Sequence, residues 1–148
     1  MSAYAFAHIV HLLCAILFVG GVLFEALVLS VLHTPAVSRE VRQAAEKAVS
    51  SRAVKVMPWA VMLLFLSGLA LAHRYAPLLA APADSSLGWQ LWLKILLAFS
   101  VLLHFIAAVR RMRRGTMSAA FSTYIHRAVL LHMLLIVVLA KTMFYLVW

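Results

Sequence analysis

The 148-residue sequence has one cysteine, Cys14, so it cannot form an internal disulfide bond. It also lacks a glycine-rich phosphate-binding loop, a paired-cysteine metal motif and a Ser-His-Asp arrangement, so hydrolytic chemistry has little support. Charged residues are scarce, at 11% of the chain. Hydrophobic residues make up 66%, whereas soluble globular domains contain about 45–50%. The composition therefore predicts a membrane protein, with the lipid bilayer as its partner.

Four apolar runs are each long enough to cross a bilayer as a helix, which takes roughly 20 residues. They cover about residues 4–32, 54–73, 89–109 and 124–147. The predicted fold is all-α, an integral membrane four-helix bundle that forms a single domain over residues 1–148. The polar segment 37–52 has the pattern of a short helix that could continue into the second run.

Basic residues are concentrated in two of the three connections between these runs. The first and third connections contain Arg39, Arg42, Lys47 and Arg52, then Arg110, Arg111, Arg113 and Arg114. The second connection carries only Arg74, and no Lys or Arg precedes the first run. By the positive-inside rule, both termini face the periplasmic side of a bacterial inner (cytoplasmic) membrane. The +9 formal charge is thus a topology signal, and nucleic acid is not an expected partner.

Tryptophan residues agree with this topology. Amphipathic rings favour the membrane interface, and three tryptophans lie at the predicted outer ends of the helices: Trp89, Trp92 and Trp148. A homo-oligomer, a respiratory-chain partner and a quinone partner are all compatible with the sequence, because no sequence feature identifies a contact face.

Ionisable side chains inside the apolar runs are costly to bury and usually functional. A rise of about 1.5 Å per residue sorts them into two layers. The outer layer contains His8, His11, His73, Lys94 and Lys141, and the inner layer contains His33, His104, His126 and His132. Bundles hold cofactors with side chains from facing helices, and haem iron takes axial histidine ligands. The pattern therefore favours a haem cofactor, with one site or two.

The candidate cofactor-binding residues are His11, His104, Lys94, His132, His8 and His126. Apolar walls could come from Phe18, Phe24, Phe65, Phe99 and Phe105. Simpler roles compete with this interpretation. His33 and His73 fit interfacial residues, His126 beside Arg127 fits either role, and Lys94 and Lys141 could snorkel outward. Glu25 could pair with a histidine or with Lys55.

Copper is the alternative cofactor. Cys14 lies three residues after His11, so both side chains can face the same way, and His8 precedes them by one turn. Copper favours soft ligands, which methionines could extend inward: Met57, Met62, Met133 and Met143. Membrane helices also use methionine and cysteine for packing, which explains the same residues without a metal.

The run from His11 to Gly21, HLLCAILFVGG, resembles the first helix of the HemJ/CopD superfamily, which begins with a histidine, then an aromatic residue, then a small residue and glycine. The remaining similar segments are His33 after the first helix, Val56-Met-Pro58 with Ser67-Gly68 in the second, Trp92-Leu-Lys94 with His104 in the third, and Lys141 in the fourth. The chain departs from HemJ proteins late in the first helix, where Ala26-Leu27 replaces a Pro-Arg pair and Glu25 precedes it, and in its extra His126 and His132.

The resemblance implies a four-helix membrane protein that binds haem b, with His11 as iron ligand. HemJ is the membrane protoporphyrinogen IX oxidase, and CopD proteins are linked to copper handling. The expected function is therefore a membrane redox protein that could oxidise a porphyrinogen-like or quinol substrate. His104 and His132 would bind a second haem or relay protons. The alternatives are a CopD-like copper-handling protein, with copper on His8, His11 and Cys14, and a small respiratory-complex subunit whose histidines serve in packing.

Overall fold

The computed structural model describes residues 2–143 and 145, except for the side chain of Ala119. The described chain is helical throughout, with the elements α1 (Ala3–Leu27), a 3-10 helix (Leu29–His33), α2 (Arg39–His73), α3 (Ala76–Ala80), a 3-10 turn (Pro82–Asp84), α4 (Ser86–Arg113) and α5 (Ala119–Thr142). The predicted positions of Trp148 and of the end of the fourth run lie outside the described residues.

Four of these helical segments are long and apolar enough to cross a membrane: Ala3–His33, Arg39–His73, Ser86–Arg113 and Ala120–Thr142. The all-α class, with its four membrane-length helices, and the multi-pass character of the protein are therefore confirmed. The polar segment before the second run does continue into it, since α2 starts at Arg39 and is 35 residues long. The connection between the second and third runs contains α3 and a 3-10 turn.

The chain divides into two compact units, Met1–Leu69 and Ala70–Trp148. In the first unit, Ser2 caps α1, its side chain accepting a hydrogen bond from the amide of Ala5 at 3.2 Å. Two glycines leave room for side chains of the facing helix. A Cβ atom at Gly21 would lie 3.0 Å from Met57 Cε, and one at Gly68 would lie 3.2 Å from His11 Cε1. Small residues are common at helix contacts in membranes, where they let neighbouring groups pack closely.

In the second unit, α4 and α5 form a helical hairpin. Helix α4 ends in a Schellman motif, with Gly115 at φ 66° and hydrogen bonds from Thr116 N to Arg111 O (3.0 Å) and from Gly115 N to Met112 O (3.2 Å). The hydroxyl of Ser118 then accepts from the amide of Phe121 at 3.2 Å and starts α5. The buried apolar side chains of the hairpin are Leu91, Val101, Ile125, Val129 and Met133, with Met143 beyond α5.

Candidate functional site

In the first unit, His11 is half-buried and packs against α2. Its Nδ1 lies 3.0 Å from the main-chain carbonyl oxygen of Leu64 and 3.2 Å from Oγ of Ser67. A carbonyl oxygen only accepts hydrogen bonds, so Nδ1 carries a proton and donates it. In the neutral ring, the lone pair is therefore on Nε2. The orientation of the ring is therefore set by hydrogen bonds to the neighbouring helix α2.

The partner surface on α2 consists of Ser67 and Gly68. The Ser67 hydroxyl is 2.7 Å from the carbonyl oxygen of Leu63 and 3.0 Å from that of Leu64, so its own proton is directed along α2. Ser67 is buried, and its oxygen is left to accept from His11. The missing side chain at Gly68 allows the imidazole to lie directly on the helix backbone. The contacts with Leu64, Ser67 and Gly68 therefore fix both the position and the tautomer of His11.

The other two candidate copper ligands of α1, His8 and Cys14, are placed differently. His8 is exposed, with its ring edge-on to Tyr4 at a centroid distance of 6.1 Å. Cys14 is a free, half-exposed thiol. Within residues 2–143 and 145, no three His, Cys, Asp or Glu side chains are grouped so that they could hold a metal ion. The geometry of His8, His11 and Cys14 thus adds no support to the copper alternative.

In the second unit, His104 and His132 contact each other, with ring centroids 5.7 Å apart and planes tilted by 42°. Each ring donates from Nδ1 to the carbonyl oxygen four residues earlier on its own helix. His104 bonds Ser100 at 2.7 Å, and His132 bonds Ala128 at 2.6 Å. The two histidines, which were expected at a similar depth, lie side by side.

The Nε2 atoms of both rings accept hydrogen bonds from hydroxyl groups. Tyr124 donates to His104 at 3.2 Å, and Ser100 donates to His132 at 3.2 Å. Both bonds run between α4 and α5, so they join the two helices of the hairpin. His126, which lies nearer the start of α5 than His132, is half-buried and donates from Nδ1 to the carbonyl oxygen of Ser122 at 2.7 Å.

The lysines and terminal histidines lie apart from these contacts. Lys94 is half-buried on α4, and Lys141 is exposed in the last turn of α5. His73 is exposed at the end of α2. His33 Nε2 lies 3.3 Å from Oε1 of Glu46, with both side chains largely exposed. These positions fit the interfacial role considered for His33 and His73.

Sequence reasoning gave no hydrogen-bonding role to three hydroxyl groups that contact the histidines: Ser67, Ser100 and Tyr124. Ser100 lies four residues before His104 and so on the same helix face, which is a usable signal. Tyr124 enters the sequence prediction only as the start of the fourth run. A hydroxyl group inside an apolar run needs a hydrogen-bond partner, as a histidine does. Serine and tyrosine residues in the apolar runs are therefore candidate partners for the histidines.

His11 has more of the features of a metal-ligating histidine than His104 and His132 have. Histidines that bind metals usually donate their other ring N–H to a carbonyl or carboxylate, as His11 does to Leu64. The Nε2 atoms of His104 and His132 already accept from hydroxyl groups. Iron there would have to displace both hydroxyls, so this pair does not fit a second haem in the arrangement described.

A proton relay through the pair is also interrupted. The bond from His104 ends on the carbonyl oxygen of Ser100, which has no proton to pass on. The Ser100 hydroxyl, a separate group, makes the contact with His132. The arrangement is thus suited to holding α4 and α5 together.

No protein-family model, curated protein or solved structure matches this chain. The resemblance to the HemJ/CopD superfamily therefore stays a prediction that depends on the residues quoted for it.

Proposed function

We propose that the chain is a haem b-binding membrane protein with a redox function, and that His11 supplies an axial ligand. The observation that carries the proposal is the hydrogen bond from His11 Nδ1 to the Leu64 carbonyl oxygen at 3.0 Å. It gives the imidazole the tautomer that a ligand needs and limits its rotation. The expected location is a bacterial inner membrane, with the arginine-rich connections inside, from the positive-inside rule.

The residues around His11 would act on its imidazole ring rather than on a substrate. The Leu64 carbonyl, by accepting the Nδ1 proton, raises the electron density on Nε2 and makes it a better donor to a metal. Ser67 shares that proton at 3.2 Å and restricts the ring further. When bound, haem supplies one-electron redox chemistry, with a potential that depends on its axial ligands and their hydrogen bonds. Oxidation of a porphyrinogen-like or quinol substrate is the form of this function that the family resemblance suggests.

The test is an optical spectrum of the detergent-purified protein after expression with ample haem. We expect a Soret band in the wild-type protein and its loss in His11→Ala. His8→Ala is the matched control, since His8 lies one turn away on the same helix but is exposed. That variant should keep the band, and so should His104→Ala.

Three results would contradict the proposal. They are a wild-type protein without a Soret band, a band that persists in His11→Ala, and a band that disappears in His8→Ala as readily. Copper in a haem-free preparation would favour the copper alternative. Co-purification with a larger respiratory complex and no cofactor of its own would favour the subunit alternative, in which the histidines serve in packing.

A further inference from the structure

The second unit has a large excess of positive charge, and most of it lies at one end of the α4–α5 hairpin. Its eight basic residues are Arg74, Lys94, Arg110, Arg111, Arg113, Arg114, Arg127 and Lys141. Its one acidic residue, Asp84, precedes α4, while the arginines of residues 110–114 follow about 40 Å of helix. Within this unit, therefore, no acidic side chain can neutralise the arginine end of the hairpin.

Arg127 carries this charge into the apolar part of α5. At the arginine end, the guanidinium of Arg111 lies over the ring of Phe121, with Cζ 3.7 Å from the centroid. Arg127 is six residues further along α5, or about 9 Å deeper by helical rise. Its side chain is exposed. An arginine at such a depth is expensive unless its charge finds an anionic partner or reaches the interface.

A shallow, open groove of about 420 Å³ follows the face of α5 that carries Arg127, and all of its lining residues belong to this helix: Ala120, Thr123, Tyr124, Arg127, Ala128 and Leu131. The groove is polar where Arg127 and Tyr124 lie and apolar beyond them, at Ala128 and Leu131. Helical side chains lean toward the N-terminus of their helix, which for α5 is the arginine end. This lean would bring the guanidinium of Arg127 toward the level where phospholipid headgroups would lie.

We propose that this groove binds an anionic phospholipid, with its phosphate on Arg127 and an acyl chain along Ala128 and Leu131. Charge complementarity selects this occupant. A guanidinium matches phosphate geometry and binds it through paired N–H groups. The cluster at residues 110–114 would add long-range attraction, since each basic residue near an anionic surface contributes about a fivefold gain in binding. This proposal does not depend on the haem proposal.

A quinone is the competing occupant, and the contacts favour it less. The Tyr124 hydroxyl already donates to His104 at 3.2 Å and is not available to donate to a quinone oxygen. A neutral headgroup also leaves the charge of Arg127 without a counter-charge.

The test is native mass spectrometry of the full-length protein in detergent, titrated with phosphatidylglycerol or with phosphatidylcholine. We expect the wild-type protein to retain phosphatidylglycerol in preference. Arg127→Gln should weaken that retention about fivefold or more, while Arg127→Lys should restore part of it because the charge is kept. Lys141→Gln is the matched control, since Lys141 is an exposed cation near the other end of the same helix, and it should bind like the wild type.

Tyr124→Phe separates the lipid from the quinone. It removes the hydroxyl but keeps the ring, so phosphatidylglycerol binding should not change. Equal retention of the two lipids by the wild type would overturn the proposal. So would unchanged binding in Arg127→Gln with an unchanged circular dichroism spectrum, and so would displacement of the lipid by a short-chain quinone at equimolar concentration. Inorganic phosphate should not compete at millimolar concentration, because it lacks the acyl chain.

Discussion

The contact between Ser100 and His132 gives the sharpest test of how the α4–α5 hairpin is held together. The Ser100 hydroxyl donates to Nε2 of His132 at 3.2 Å, and the bond crosses from one helix to the other. Interhelical hydrogen bonds in membrane proteins contribute about 0.6 kcal/mol on average and up to about 1.7 kcal/mol. We therefore expect Ser100→Ala and His132→Phe to be coupled by a free energy in this range.

The assay is a double-mutant cycle on the free energy of unfolding, measured by denaturation with an ionic detergent in mixed micelles. Such unfolding separates the helices while leaving much of their helical structure. Ser100→Ala alone should destabilise the hairpin by about 1 kcal/mol, because it removes the hydrogen bond and leaves Nε2 of His132 without its donor. The phenylalanine variant keeps a planar ring of similar shape in the same place.

The control cycle uses Ser122 and His126, which lie one turn apart on α5. The Ser122 hydroxyl is 3.4 Å from Nδ1 of His126, but the contact stays within a single helix. It should persist when the helices separate, so its coupling energy should be near zero. A coupling for Ser100 and His132 within about 0.3–0.5 kcal/mol of zero, like that of the control, would refute an interhelical role for this hydrogen bond.

Two further predictions concern glycines. Gly68→Ala places a Cβ atom 3.2 Å from Cε1 of His11, whose ring is held by its contacts with Leu64 and Ser67. Because the ring cannot shift without weakening these contacts, we expect a loss of about 1 kcal/mol in the free energy of unfolding, whereas Gly20→Ala, with nothing within 4 Å, should not destabilise the protein. Gly115→Ala forces a residue with a side chain into φ 66° and should cost about 1–2 kcal/mol, with Gly115→Asn costing less in the same assay.

The number of long helices could be predicted from the sequence, because a bilayer demands runs of roughly 20 apolar residues. The helix ends were less predictable. The fourth run was expected to begin at Tyr124, but α5 begins at Ala119 because Ser118 caps it. The early start of α2, at Arg39, was by contrast expected from the polar segment 37–52, which includes strong helix formers such as alanine and glutamate.

The candidate site was predictable in depth but not in rotation. Counting residues from the helix ends put His104 and His132 at one level, and their rings are in contact. No count of residues could indicate that His11 would lie on Ser67 and Gly68. That contact depends on how α1 and α2 are rotated about their own axes, and small residues allow several such rotations.

The Nδ1 hydrogen bonds of four histidines separate two kinds of position. His104, His126 and His132 each donate from Nδ1 to the carbonyl oxygen four residues earlier on the same helix, at 2.6–2.7 Å. That bond forms in any helix and requires no neighbour, so by itself it indicates only that a polar ring has been accommodated. His11 instead donates to Leu64, 53 residues away on another helix. Its orientation therefore depends on the tertiary structure, which is why a change at Gly68 should affect the haem binding proposed for His11 while a change at Ser122 should not.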